Sequence, residues 1–168
     1  MKKLAAVIAL TLVLGIGTTI AQQKFGHINS QELLLAMSET KQMQTALETK
    51  QKDYNSQLEK MYIEYEGKAK ELEQNGSSMM DAILEAKVQD LKDLQKRIQQ
   101  FEQKAQDDLM KLEEQLSTPI LEKARVAIKS VADEKGYTYV FDLASGALVH
   151  YPETDDLTSL VKGKLNIN

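Results

Sequence analysis

The chain contains no cysteine and no tryptophan, only two prolines in 168 residues, and few aromatics of any kind. Without cysteine no disulfide can stabilise it, and no CxxC metal site is available. Its two histidines, His27 and His150, are far apart and form no HxH spacing, and His150 with Glu153 makes only two of the three or four ligands a zinc site needs. There is no glycine-rich phosphate loop, no G-x-S-x-G and no isolated pair of carboxylates. No enzymatic activity and no cofactor are expected. An excess of positive charge is missing as well: the formal net charge is −4, which argues against nucleic acid as a partner.

Long hydrophobic runs are also scarce. The one that exists is at the start, where Met1-Lys2-Lys3 leads into 17 uncharged residues from Leu4 to Ile20, then Ala21 and the polar pair Gln22-Gln23. A basic start, an apolar centre and small residues before a polar stretch make residues 1–21 a signal peptide, with cleavage expected after Ala21. An uncleaved anchor is the alternative, since 17 residues are near the lower limit for crossing a bilayer. Removing Lys2 and Lys3 leaves 19 basic against 25 acidic residues, a net charge of −6.

What the chain has in abundance is helix-forming sequence. From Ser30 to Ala132 there are one proline, Pro119, and two glycines, Gly67 and Gly76, among many Glu, Gln, Lys, Leu and Ala. Asn29, with Glu32 three residues on, predicts a capping box and a helix starting at Ser30. Met43, Leu47, Tyr54, Leu58, Met61, Tyr65 and Leu72 then recur at heptad-like steps. Gln74-Asn75-Gly76-Ser77-Ser78 interrupts them as a turn. The seam resumes through Leu84, Val88, Leu91, Leu94, Ile98, Phe101, Ala105, Leu109, Leu112 and Leu116. Two arms of similar length around one turn predict an antiparallel coiled-coil hairpin over residues 30–118. Glu48/Lys52, Glu64/Lys68, Glu66/Lys70 and Asp107/Lys111 are spaced for i,i+4 pairing on its wet faces.

Pro119 should kink or restart the helix, which continues from Ile120 to Asp133 and is capped by Gly136. Tyr137 to Phe141 and Leu148 to Tyr151 read as strands of a hairpin turning at Ala144-Ser145-Gly146, and Asp156 to Leu165 reads as a short last helix. Lys24 to Ile28 is a further strand. The predicted architecture is therefore α+β and mostly α, with a long hairpin inserted in a small β-rich body made of residues 22–29 and 119–168. A body of that size is too small to be stable alone, so oligomerisation is expected.

This order of parts, with Lys24-Phe25-Gly26-His27-Ile28-Asn29, the segment Ala127 to Tyr137, the strand Tyr139-Val140-Phe141-Asp142 and Asp156-Leu157-Thr158, resembles the Skp/OmpH family of periplasmic chaperones. The resemblance spans the whole mature chain. It implies a periplasmic homotrimer with a small β-barrel body contributed by three subunits, whose arms enclose a cavity. Unfolded outer-membrane proteins are held there without ATP, before membrane insertion. One departure is plain: the best-known members are basic, whereas each arm here carries nine acidic and six basic residues. Lipid or lipopolysaccharide contacts proposed for basic relatives therefore find no matching residues. A structural or tethering coiled-coil protein of the envelope is the alternative function.

Candidate client contacts are Tyr62, Met79 and Met80, then Tyr54, Met61 and Tyr65, because methionine and tyrosine adapt to many partners. The last three lie on the seam, where hairpin core is the competing role. Gly67, inside an arm, could let it bend; a tolerated blemish is the other reading. Phe25, Ile28, Tyr139, Phe141 and Val149 are expected to build the body and its subunit interfaces.

Overall fold

The computed structural model describes residues 23–167, so the expected signal peptide at 1–21 lies outside the described residues. Strand β1 (Phe25–Ile28) is followed by helix α1 (Ser30–Ala36), helix α2 (Ser38–Asn75) and helix α3 (Asp81–Lys135). Strand β2 (Tyr139–Asp142) and helix α4 (Thr158–Lys164) complete the order. At about 1.5 Å per residue the 38-residue α2 is some 57 Å long and the 55-residue α3 some 80 Å. They run antiparallel around a single turn of 3₁₀ helix at Gly76–Ser78. No residue of that turn has a positive φ; the chain reverses through right-handed geometry, held by Ser78 Oγ donating to the Asn75 carbonyl at 2.8 Å.

The first arm does not start as one helix. Asn29 caps α1 by accepting from the Glu32 amide at 3.0 Å, but the return bond of a capping box is absent. The Asn29 amide donates instead to Thr158 Oγ1, and the Glu32 carboxylate pairs with Lys162. Helix α1 stops at Met37, whose backbone is extended (φ −72, ψ 134), and α2 restarts at Ser38. The break turns Leu33 and Met37 into the same core, where both are fully buried.

Pro119 interrupts nothing. It lies within the continuous helix α3, at an exposed position. The usual cost of an interior proline, about 3 kcal/mol, is offset by packing on either side. Leu112 and Leu116 sit in the hairpin, while Ile120, Ala124, Ala127 and Val131 enter the body core. The helix ends as expected at Gly136 (φ 70), with the Tyr137 amide donating to the Ala132 carbonyl at 2.9 Å. Lys24 Nζ adds a bond to the Lys135 carbonyl at 3.1 Å and lies 3.9 Å from the centre of the Tyr137 ring.

The body contains two strands among the described residues, not three. They pair in parallel, with Phe25 opposite Tyr139 and Ile28 opposite Asp142. The predicted β-hairpin does not form: Leu143–Ser145 makes a 3₁₀ turn ending at Gly146 (φ 68), and residues 147–151 do not pair as a strand. Further along, His27 forms an isolated bridge with Asp156, and the Leu157 amide donates to the His27 carbonyl at 2.9 Å. Asp156 Oδ1 then accepts from the Thr158 amide, so α4 starts two residues later than expected. The core lies where β1, α1, the lower end of α3 and α4 meet, around Ile28, Leu33, Met37, Ala124, Leu157 and Val161. Each fully buried Leu or Met there is worth about 1.5–3 kcal/mol.

Candidate functional site

Two surfaces of the molecule offer themselves to partners, the flanks of the hairpin and the outer face of the strand pair. On the hairpin, Leu94, Ile98 and Ala105 of α3 are the fully buried seam residues. Met43, Leu47, Tyr54, Leu58, Met61, Tyr65 and Leu72 of α2 face them and are half-buried. Val88, expected in the seam, is 36% exposed and lies outside it. Tyr54 is fixed twice over: its ring meets Phe101 edge-on at 5.7 Å, and its hydroxyl donates to Asp108 Oδ2 at 2.9 Å. Lys104 and Tyr54 together hold the Asp108 carboxyl below its usual range.

Between Leu47 and Tyr54 the next heptad step falls on Lys50 and Gln51, which point outward. With no apolar knob at that level, shallow grooves open on both flanks. One of about 560 Å³ lies between Leu47 and Gln51 of α2 and Leu109 and Met110 of α3. The other, about 600 Å³, is lined by Thr45, Ala46, Thr49 and Leu112. A third, of about 500 Å³ beside Met43, Leu116, Pro119 and Ile120, is bounded by the Glu39–Lys123 ion pair.

Of the candidate client contacts, Tyr62 and Met80 are exposed, by 44% and 69%, and Met79 is half-buried beside the tip. Tyr62 is held in place by its hydroxyl donating to Glu102 Oε1 at 2.7 Å, and that bond to a carboxylate raises the phenol's pKa. Tyr54, Met61 and Tyr65 are half-buried along the seam. The sequence reading passed over Ile63, Ile83 and Met110, all exposed apolar residues. Their signal was available: each breaks the polar pattern off the seam.

The charge pattern along the arms differs from the expected one. Glu64–Lys68 forms at 3.7 Å, but Glu48/Lys52, Glu66/Lys70 and Asp107/Lys111 do not pair. Lys68 also reaches across to Asp90, and Lys87 to Glu71 at 2.8 Å, so ion pairs tie one arm to the other near the tip. The Asp90 pairing lowers the pKa of the aspartate and raises that of Lys68.

On the body, Ile28 is buried, whereas Phe25, Tyr139 and Phe141 form an uncovered aromatic face. Phe25 stacks on Tyr139 at 5.7 Å and on Phe141 at 6.3 Å. Val149, 99% exposed, stands free in the segment after Gly146. Gly26 was not singled out from the sequence, yet a Cβ there would lie 2.8 Å from the Tyr137 ring. Among the described residues no group of three His, Cys, Asp or Glu could hold a metal, and no helix is long and apolar enough to cross a membrane.

The sequence profile of a family described as "Outer membrane protein (OmpH-like)" matches residues 24–165. The chaperone protein Skp of Pectobacterium atrosepticum is 28% identical over 163 residues, covering 95% of this chain and 96% of the relative. The Skp protein of Yersinia enterocolitica is 26% identical over 162 residues, with the same coverage. In fold the chain is similar to an OmpH-like outer membrane chaperone from Caulobacter crescentus CB15. The TM-score is 0.76 at 17% identity, over 86% of this chain and 84% of that one.

Proposed function

The chain belongs to the OmpH-like family, and on that footing we propose that it is a periplasmic holdase that keeps unfolded outer-membrane proteins from aggregating before their insertion. The observation that carries this reading is the pair of long antiparallel arms, exposed along most of their length, standing on a body with an uncovered aromatic face. Holding needs many weak, reversible contacts rather than one deep pocket, because its clients present aggregation-prone strands in no fixed order. Shallow grooves along both flanks and exposed Tyr62, Met79 and Met80 suit such contacts, and they require no nucleotide.

Three copies would share the body. Phe25, Tyr139 and Phe141 leave too much aromatic surface in water for a single chain, and Val149 has no partner within it. Burying them between subunits, with Ile28 beneath, would close the strand pairs into a barrel and set three hairpins around a cavity. Export through residues 1–21 would place the assembly in the periplasm.

The test joins two measurements: the mass of the mature protein in solution, and the aggregation of an unfolded outer-membrane barrel protein diluted into it. A trimer that suppresses aggregation at stoichiometric amounts supports the proposal. A monomer that protects nothing overturns it, and a protein that binds one folded partner but no unfolded chain is the envelope tether instead.

A further inference from the structure

Among the described residues, His27 is the one titratable side chain that is buried, 3% exposed in the middle of β1. Its Nε2 lies 3.0 Å from the Pro152 carbonyl oxygen. A carbonyl can only accept, so the proton sits on Nε2 and Nδ1 is left as a bare lone pair. Nδ1 is itself buried and has no hydrogen-bond partner. Tyr151 closes over the ring, with centroids 4.6 Å apart. The backbone of the same residue carries the bridge to Asp156 and accepts from Leu157. Ring and backbone of His27 thus fasten residues 151–157 to β1, and behind that segment Leu157 and Val161 fill the core.

We propose that this fastening is a protonation-sensitive latch: the neutral His27 ring closes it, and a second proton on the ring opens it. A proton at Nδ1 brings a positive charge and a donor into a pocket where neither is matched. The groups around it are committed or outside. On the 151–157 segment Glu153 and Asp156 are exposed, Asp155 is half-buried near Lys24, and Asp156 Oδ1 is taken by the Thr158 amide. Asp142 of β2 accepts from Ser30 and Ala144, and Tyr139 belongs to the outer aromatic face. Lys24 is engaged with the Lys135 carbonyl, and Lys162 of α4 with Glu32. The segment's own carboxylates can meet the imidazolium only by moving, and that movement is the opening.

The experiment follows amide exchange of Leu157 in the full mature protein, corrected for intrinsic rates, between roughly pH 7.5 and 5.5, the range in which histidine titrates. The natural chain should lose about tenfold more Leu157 protection than His27→Gln, which keeps a donor for Pro152 but cannot titrate. His150→Gln should behave like the natural chain. Equal pH dependence in the natural chain and His27→Gln overturns the latch, as does a natural chain without any. Should His27→Gln fail to fold, ring nitrogen shifts of the natural protein decide: His27 gaining its second proton while Leu157 stays protected also overturns it.

Discussion

Asp142, the last residue of β2, accepts from both the amide and the hydroxyl of Ser30, the first residue of α1, at 3.2 and 2.6 Å. The two residues lie 112 positions apart, and the whole hairpin departs and returns between them. Asp142 also accepts from the Ala144 amide at 3.0 Å. Partial burial pushes the Asp142 carboxyl up, but these bonds outweigh it and hold its pKa below the usual value. A depressed folded pKa stabilises the fold above the unfolded value, about 3.9, and that contribution disappears as pH falls through the folded one. Asp142→Asn should therefore cost about 1–2 kcal/mol near neutrality, as a lost charged hydrogen bond does. Melting temperatures of natural chain and variant should converge as pH falls below the ordinary aspartate range; parallel curves throughout would remove the charge from the account.

Tyr54 and Phe101 give the arms their most defined cross-contact. Phe101→Ala leaves a gap against a half-buried ring and should cost about 2 kcal/mol, less than a fully buried phenylalanine would. Tyr54→Phe keeps the ring and loses only the bond to Asp108 at the water's edge, so its melting point should move much less. Thermal unfolding followed by circular dichroism separates the two. Equal losses would mean that the hydroxyl, not the ring packing, carries the contact.

Two glycines predict opposite signs. At Gly26 a Cβ would press on the Tyr137 ring at 2.8 and 2.9 Å, so Gly26→Ala should destabilise the body by about 1–3 kcal/mol. At Gly67 nothing lies within 4 Å of the added carbon, and the residue is inside α2. Gly67→Ala should stabilise by about 1 kcal/mol through helix propensity alone. If the arm bends there around clients, the same variant should protect large clients less well than small ones; unchanged protection leaves Gly67 a tolerated blemish.

Periodicity made the hairpin readable, since a seam repeating every seven residues has few alternative structures. Caps made of neighbours in sequence were readable too, as at Asn29 and Gly136. What was hidden depends on distant partners. Glu32 could not be seen to prefer Lys162 over its own helix start, because Thr158 takes the Asn29 amide from 129 positions away. No glycine or proline announces the break at Met37; the core does. Pro119 carries a breaker's signature, yet packing on both sides overrides it. Leu148 to Tyr151 has the residues of a strand but pairs with neither β1 nor β2 among the described residues, so Val149 stays in water.

Client capture should carry the mark of the acidic arms. With nine acidic against six basic residues each, and several lysines already neutralised by Asp90, Glu71 and Asp108, the hairpin repels a client of net negative charge at long range. Raising ionic strength from about 10 mM to about 150 mM shortens the Debye length from roughly 30 Å to 8 Å, so capture of an acidic client should become tighter. The contacts proposed for Tyr62, Met79 and Met80 would be apolar and survive salt, so replacing all three with serine should weaken protection several-fold at either ionic strength. Tyr62 and Met80 lie outside the buried seam and Met79 sits beside the tip, so the assembly's mass should not change. Affinity for an unfolded acidic barrel protein, measured by fluorescence at the two salt levels, tests both halves. Capture that weakens with salt would place the attraction in the arms' lysines and remove the apolar residues from the binding surface.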